Sequence, residues 1–413
     1  MFAVVMLALL FAAAPVSSSA INLTWIFLFV FSGWVFIGRR YDRCQPERAA
    51  EVRFALTALI ATFLLGLVLM IVMRLYWSEP VRGVSFELTA LVAAAVSLVF
   101  ATSWTANEQH RKTVTTGIFV ASLLALVQGY GYMFTGHPGP TNPVNWGAGM
   151  ALMVCIALSL VIHQRTNRQS QWLAALGVLV FSLAIFVAGR RGAFFAIFWC
   201  GTVGSCFFVR NFALTRQTTR RLWVLPTFLV VVFLAVLLAK DQLAAPLDRV
   251  MNAASEVKAM AGDQTDRALA LRSSVGSRVH MLELGLEAGS ASPWVGVGAD
   301  GLARVVKRAE LDVQAPLFHL HNEYLQAWVA YGVAGLLASL CFPVGLVVAG
   351  FLLRRAAPAP ALAMAGLGLV HFFNGLSNVN TFHNFYGTVF AVCVALPFLT
   401  FVQKAAQKQS EGG

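Results

Sequence analysis

The sequence predicts an all-α polytopic membrane protein with about twelve transmembrane helices and one large helical loop on one face. Three observations predict it. The chain of 413 residues is 58% hydrophobic and 12% charged, with mean hydropathy +0.73, and so few charges cannot cover a soluble surface of this size. Apolar runs recur at roughly 20 residues, the length of a helical span, and not at the ~10-residue alternation of a membrane barrel. The polar breaks between the runs are basic in every second turn, which is the charge signature of alternating crossings.

The apolar segments fall at 2–18, 21–38, 54–76, 84–104, 114–134, 145–163, 172–188, 193–209, 222–239, 324–352, 360–377 and 384–402. The first of them ends in alanines like a signal peptide, but it lacks a basic start and a second apolar run follows at once. It therefore reads as a short first span. With the N-terminus in the cytoplasm, the inner turns hold Arg39, Arg40, Arg43, Arg48 and Arg53, then Arg111 and Lys112, Arg165 and Arg168. Further along they hold Arg210, Arg216, Arg220 and Arg221, then Arg354 and Arg355, and the tail adds Lys404 and Lys408. Of the short opposite turns, only 77–83 and 189–192 carry Lys or Arg. This organisation divides the chain into nine spans over 1–239, an outer loop over 240–323, three spans over 324–402 and a cytoplasmic tail at 403–413.

The net charge of +12 is scattered through short turns and forms no stripe or groove, which excludes nucleic acid and leaves membrane lipids as the surface it meets. The six cysteines show no zinc spacing and read as packing residues, Cys44 in its basic turn excepted. Two features of the outer face break the pattern. Arg190 and Arg191 sit in the tight turn of VAGRRGAFFA, where positive charge opposes the bias and implies either a purpose or an interface anchor. The loop of roughly 80 residues is long enough to hold helices of its own. Leu247, Val250, Met251, Ala254 and Val257 share one face of a first helix, and Leu302, Val305, Val306 and Ala309 share one face of a second. The second, with Arg304, Lys307 and Arg308 elsewhere on it, suits either the membrane interface or packing within the loop.

His319 and His321 close the loop where the tenth span begins, in FHLHNEYLQ. A neutral imidazole there accepts a proton from a hydroxyl near neutral pH. The other readings are a metal pair, for which no ligand cluster beyond Glu323 is present, and a helix cap. Arg278 and Arg304/Arg308 join Arg190/Arg191 on the outer face, and the planar guanidinium fork matches phosphate oxygens two at a time. Gly296 and Gly298 form a glycine-rich turn between them. A base beside phosphate-binding arginines at a membrane face fits transfer from a lipid-linked diphosphate, with the arginines neutralising the leaving group.

In the order arginine–glycine turn (Arg191-Gly192), loop arginine (Arg278), P-x-x-G-x-G turn (Pro293–Gly298), then HNEYLQ (His321–Gln326) with Gly332, the segment 188–335 resembles the O-antigen ligase family. That family also holds O-antigen polymerases and protein O-oligosaccharyltransferases. The resemblance implies a GT-C-like glycosyltransferase of the inner membrane with a periplasmic active site. It implies metal-independent, inverting transfer of a glycan from undecaprenyl diphosphate, without a cofactor. His321 would be the general base, and Arg191 and Arg278 would hold the diphosphate, with Asn322, His319, Gly296 and Gly298 in support. Arg190 stands where relatives often carry serine, and alignment on Gly192 favours Arg191. Chain size and one dominant loop suit the ligase whose acceptor is lipid A-core. A competing class, a flippase of lipid-linked sugars, would place charges at mid-membrane, where the spans read as almost uncharged, with His371 the sole ionisable residue deep in one.

Overall fold

The structure, a computed structural model, describes residues 1–38, 46–104, 106–134, 139–163, 168–188, 255, 258–260, 271, 273–313 and 317–401. Arg190, Arg191, the segments 193–209 and 222–239, most of the first loop helix and the tail at 403–413 lie outside them. The described residues form helices joined by turns. Among the described residues, seven helices precede the long loop: α1 Phe2–Ala13, α2 Ser18–Gly38, α3 Pro46–Tyr76, α4 Ser85–Ser103, α5 Glu108–Phe134, α6 Pro143–His163 and α7 Arg168–Val187. The loop contributes α8 Ser274–Ala291 and α9 Gly298–Val313, and α10 Glu323–Leu353, α11 Pro358–Gly375 and α12 Asn384–Phe401 follow. Seven of these, α2 to α7 and α10, are long and apolar enough to cross a membrane, and α1 and α12 are shorter apolar helices. Ten of the twelve apolar segments coincide with described helices.

Burial explains the arrangement. In α6, 89% of the apolar window is buried inside the protein, which makes it the central helix. Val389 to Leu396 of α12 are likewise enclosed, and α12 lies against α4, α6 and α2. The outer helices expose one apolar stripe, such as Leu64, Leu65, Val68 and Val72 on α3 and Val344, Val347 and Val348 on α10, which suits hydrocarbon. Small residues set the close crossings: Gly117 of α5 faces the backbone of Ala8 on α1, and Gly129 faces that of Ala184 on α7.

The turns sort into two ends. At one, the Trp146 indole donates to the carbonyl of Pro15 at 2.8 Å, the Asn378 amide to Asn145 Oδ1 at 2.7 Å, and the Trp77 indole to the carbonyl of Val295 at 2.9 Å. At the other, Trp104 reaches the carbonyl of Leu399 and Gln171 that of Val161. All turns expected on the outer side that are described thus share the end that carries the long loop. The second loop helix, α9, has its apolar face settled by contact: Val306 and Ala309 pack with Met281 and Leu284 of α8 and with Leu320, Leu325 and Val329. Its cations stay outside, Lys307 pairing with Glu310 and Arg308 with Glu287.

Candidate active site

Helix α10 is broken near its start, and the break positions the loop end. Tyr331 leaves helical geometry and Gly332 adopts φ +61°, ψ −154°, a region open to glycine. The helical bond from Val333 to Val329 is replaced by two bonds to the Pro293–Gly298 turn. Val297 N–H donates to the Val329 carbonyl and Val333 N–H to that of Pro293, each at 2.9 Å. A Cβ on Gly296 would meet the backbone of Ala330, and one on Gly332 that of Trp294. Gly298 keeps room for the Trp77 ring. The glycines expected beside the substrate therefore have an observed place in packing the turn against α10.

That turn leads directly into α9, whose Ala299 N–H donates to Glu79. A carboxylate is well placed at a helix N-terminus. Glu79 also accepts from the Tyr331 hydroxyl at 2.6 Å and pairs with Arg74 at 3.5 Å. One acidic side chain thus ties α3, α9 and the α10 break together.

The segment 317–322 carries the histidines. Asn322 caps α10, its Oδ1 accepting from the N–H groups of Tyr324 at 3.1 Å and Leu325 at 3.0 Å. The cap is Asn322 and not His321. His321 itself sits at φ +53°, a left-handed conformation uncommon outside glycine. Its N–H donates to His319 Nδ1 at 3.2 Å, and the two rings meet edge to face with centroids 4.2 Å apart. Since Nδ1 accepts, a neutral His319 carries its proton on Nε2. Gln326 fastens the segment from below by accepting from Leu320 N–H at 3.1 Å.

Three histidines and one arginine share this region. Burial, then neighbouring His319 and Arg278, push His321 down to about 4. Burial, then His383 and Arg278, push His319 down to about 4 as well. His383, on the turn between α11 and α12, is also lowered by burial. Imidazoles held neutral beside a guanidinium keep one unprotonated ring nitrogen that can accept a proton, and the guanidinium can hold an anion. Arg278 is exposed in the first turns of α8, whose N-terminus Ser273 caps by accepting from Gly276 N–H at 2.9 Å. Among the described residues, no group of three potential metal ligands occurs.

The structure places His319 against His321, next to Asn322 in sequence, with Arg278 near enough to act on both rings, while Arg190 and Arg191 lie outside the described residues. Sequence reading left His383 out of the site. It also set His371 apart as the ionisable residue within a span, yet His371 lies 3.6 Å from buried Glu323, and Glu87 is buried in α4. The charges of Arg74 and Glu87 inside apolar runs were the available signal. No curated protein matches the chain. Residues 176–340 match the family model described as O-antigen ligase. This stretch contains the α8–α9 loop helices, the Pro293–Gly298 turn, the histidine segment and the α10 break, and over it the chain is similar to the O-antigen ligase family.

Proposed function

We propose that the protein is an O-antigen ligase of the inner membrane, moving a glycan from undecaprenyl diphosphate to a hydroxyl of lipid A-core at the periplasmic face. The observation that carries this reading is His321 set against His319, in the field of Arg278, at the loop end of a multi-pass helical protein. His321 takes the proton of the acceptor hydroxyl as its oxygen attacks the anomeric carbon. The bond from that carbon to the diphosphate oxygen breaks, and undecaprenyl diphosphate leaves with the bonding pair. Attack opposite the leaving group inverts the anomeric centre. Arg278, with Arg191 and its neighbour Arg190, holds the diphosphate and neutralises the charge it gains. His319 orients the segment by accepting from His321 N–H, and Asn322 fixes the helix start behind it.

The free-protein value of about 4 makes His321 a weak base at rest. A bound diphosphate offsets the field of Arg278 and raises the imidazole toward the pH at which proton transfer is favourable. The test is transfer by purified protein from undecaprenyl-diphosphate glycan, in EDTA, to three acceptors offered separately: lipid A-core, a glycan repeat and a peptide. Product on lipid A-core is expected, and product on one of the others alone would reassign the protein as a polymerase or protein transferase. Asparagine tolerates the left-handed conformation, so His321→Asn removes the imidazole without straining the backbone. Turnover like that of the wild type by this variant would overturn the base assignment.

A further inference from the structure

A cavity of about 170 Å³ lies at the loop end between α3, α4, α9, α10 and the turn after α11. Among the described residues its wall includes Arg74, Glu87, Glu323, Gln326 and Tyr331, and not the histidines or Arg278. Glu87 is 7% exposed and Glu323 is 3% exposed. Glu87 Oε2, Glu323 Oε1 and Arg74 Nε have no hydrogen-bond partner among the described residues. Glu323 Oε1 is 3.6 Å from His371 Nε2, beyond hydrogen-bond reach. Unpaired polar atoms at the ends of membrane helices are expensive, and apolar residues would fill the same space at lower cost. Such a set is retained where a ligand completes it.

The chemistry of the wall selects the ligand. Glu87 and Glu323 offer a phosphate no positive charge, and Arg74, whose charge is already engaged by Glu79 at 3.5 Å, keeps its Nε as a free donor. A neutral polyol satisfies both, its hydroxyls donating to the carboxyl oxygens and accepting from the arginine. Size narrows the choice further. An apolar cavity of about 150 Å³ holds one benzene ring, so this one admits a single six-membered ring and not a disaccharide. Phe86, Tyr331 and Phe342 supply aromatic wall for the C–H faces of such a ring.

The geometry points to a subsite for one neutral pyranose ring of a glycan substrate, held by Glu87, Glu323 and Arg74. This inference rests on the proposed transferase function, and the ring belongs either to the lipid-linked donor or to the acceptor.

The full-length protein in lipid nanodiscs is titrated separately with undecaprenyl-diphosphate glycan, with core oligosaccharide and with sugar-free undecaprenyl diphosphate. Glu87→Leu is expected to weaken one of the two glycan ligands at least tenfold and to leave the sugar-free lipid unchanged. Glu87→Gln, which keeps an acceptor oxygen, is expected to lose less than threefold. Loss on the lipid-linked glycan assigns the ring to the donor, and loss on the oligosaccharide assigns it to the acceptor. Leu302→Trp fills the cavity from α9 without touching a carboxylate, and the same ligand should weaken. Unchanged affinity for both glycans in both variants overturns the subsite and leaves the transferase reading standing. A wild-type protein that binds none of the three ligands overturns both.

Discussion

The N–H of Val297 donates to the carbonyl of Val329 at 2.9 Å, in place of the helical bond that Val333 would make there. A loop turn thereby completes the hydrogen bonding of an apolar helix at its break. Gly332 makes the substitution possible through its positive φ. Gly332→Ala should cost about 1–3 kcal/mol, the range for a side chain forced into such a conformation. The measurement is the melting temperature in detergent, expected to fall by several degrees. An unchanged value would mean that the turn does not depend on this geometry.

Asn322 precedes α10 and follows His321, the proposed base, so its cap is expected to serve stability and alignment together. Asn322→Ala removes an acceptor for two N–H groups and should cost about 1 kcal/mol. Activity should fall by more than stability, because the left-handed His321 is held between that cap and His319. Asn322→Asp keeps the acceptor and should restore most of the turnover. Equal small losses in both variants would make Asn322 a cap and nothing more.

Hydropathy made ten described helices readable, and charge alternation sorted the described turns into two sets that lie at opposite ends of the bundle, because membrane crossing imposes length and charge bias directly on sequence. The nearness of His319, His321 and Arg278 was expected from the family pattern, and the structure places them in one another's field. Gly296, Gly298 and Gly332 were visible as a pattern but not as a mutual fit, since the bonds joining them run between residues more than thirty positions apart. His383 and the Glu79–Tyr331 bond depend on helix packing, which periodicity does not encode. Whether α9 lay on the membrane or on the loop was likewise settled by Val306 and Ala309 meeting α8.

Arg191 is expected to contact the diphosphate more directly than Arg190, on the ground that it adjoins Gly192. Arg191→Ala should raise KM for the lipid-linked donor at least tenfold while KM for the acceptor stays within threefold. Arg191→Lys should recover only part of this, because an ammonium lacks the two-pronged geometry of the guanidinium. Arg190→Ala should have the smaller effect, and the reverse order would exchange their roles.

The pH dependence tests the relation between Arg278 and His321. An unperturbed histidine titrates near 6.5, and in the folded protein burial, His319 and Arg278 lower His321 to about 4. The acidic limb of kcat/KM, which reports the free enzyme, should therefore lie well below 6.5. The limb of kcat should lie higher, because the bound diphosphate offsets Arg278. Arg278→Ala should move the kcat/KM limb upward but short of 6.5, since burial, the larger cause, remains. Stability follows the same shift. Above 6.5 the imidazole is neutral in folded and unfolded chains alike, and stability is flat. Between 6.5 and about 4 the unfolded chain binds a proton that the folded chain refuses, so stability falls as pH falls. His321→Asn should make that fall shallower, read as melting temperature against pH. An acidic limb at 6.5 in the wild type would show that neither burial nor Arg278 acts on the base.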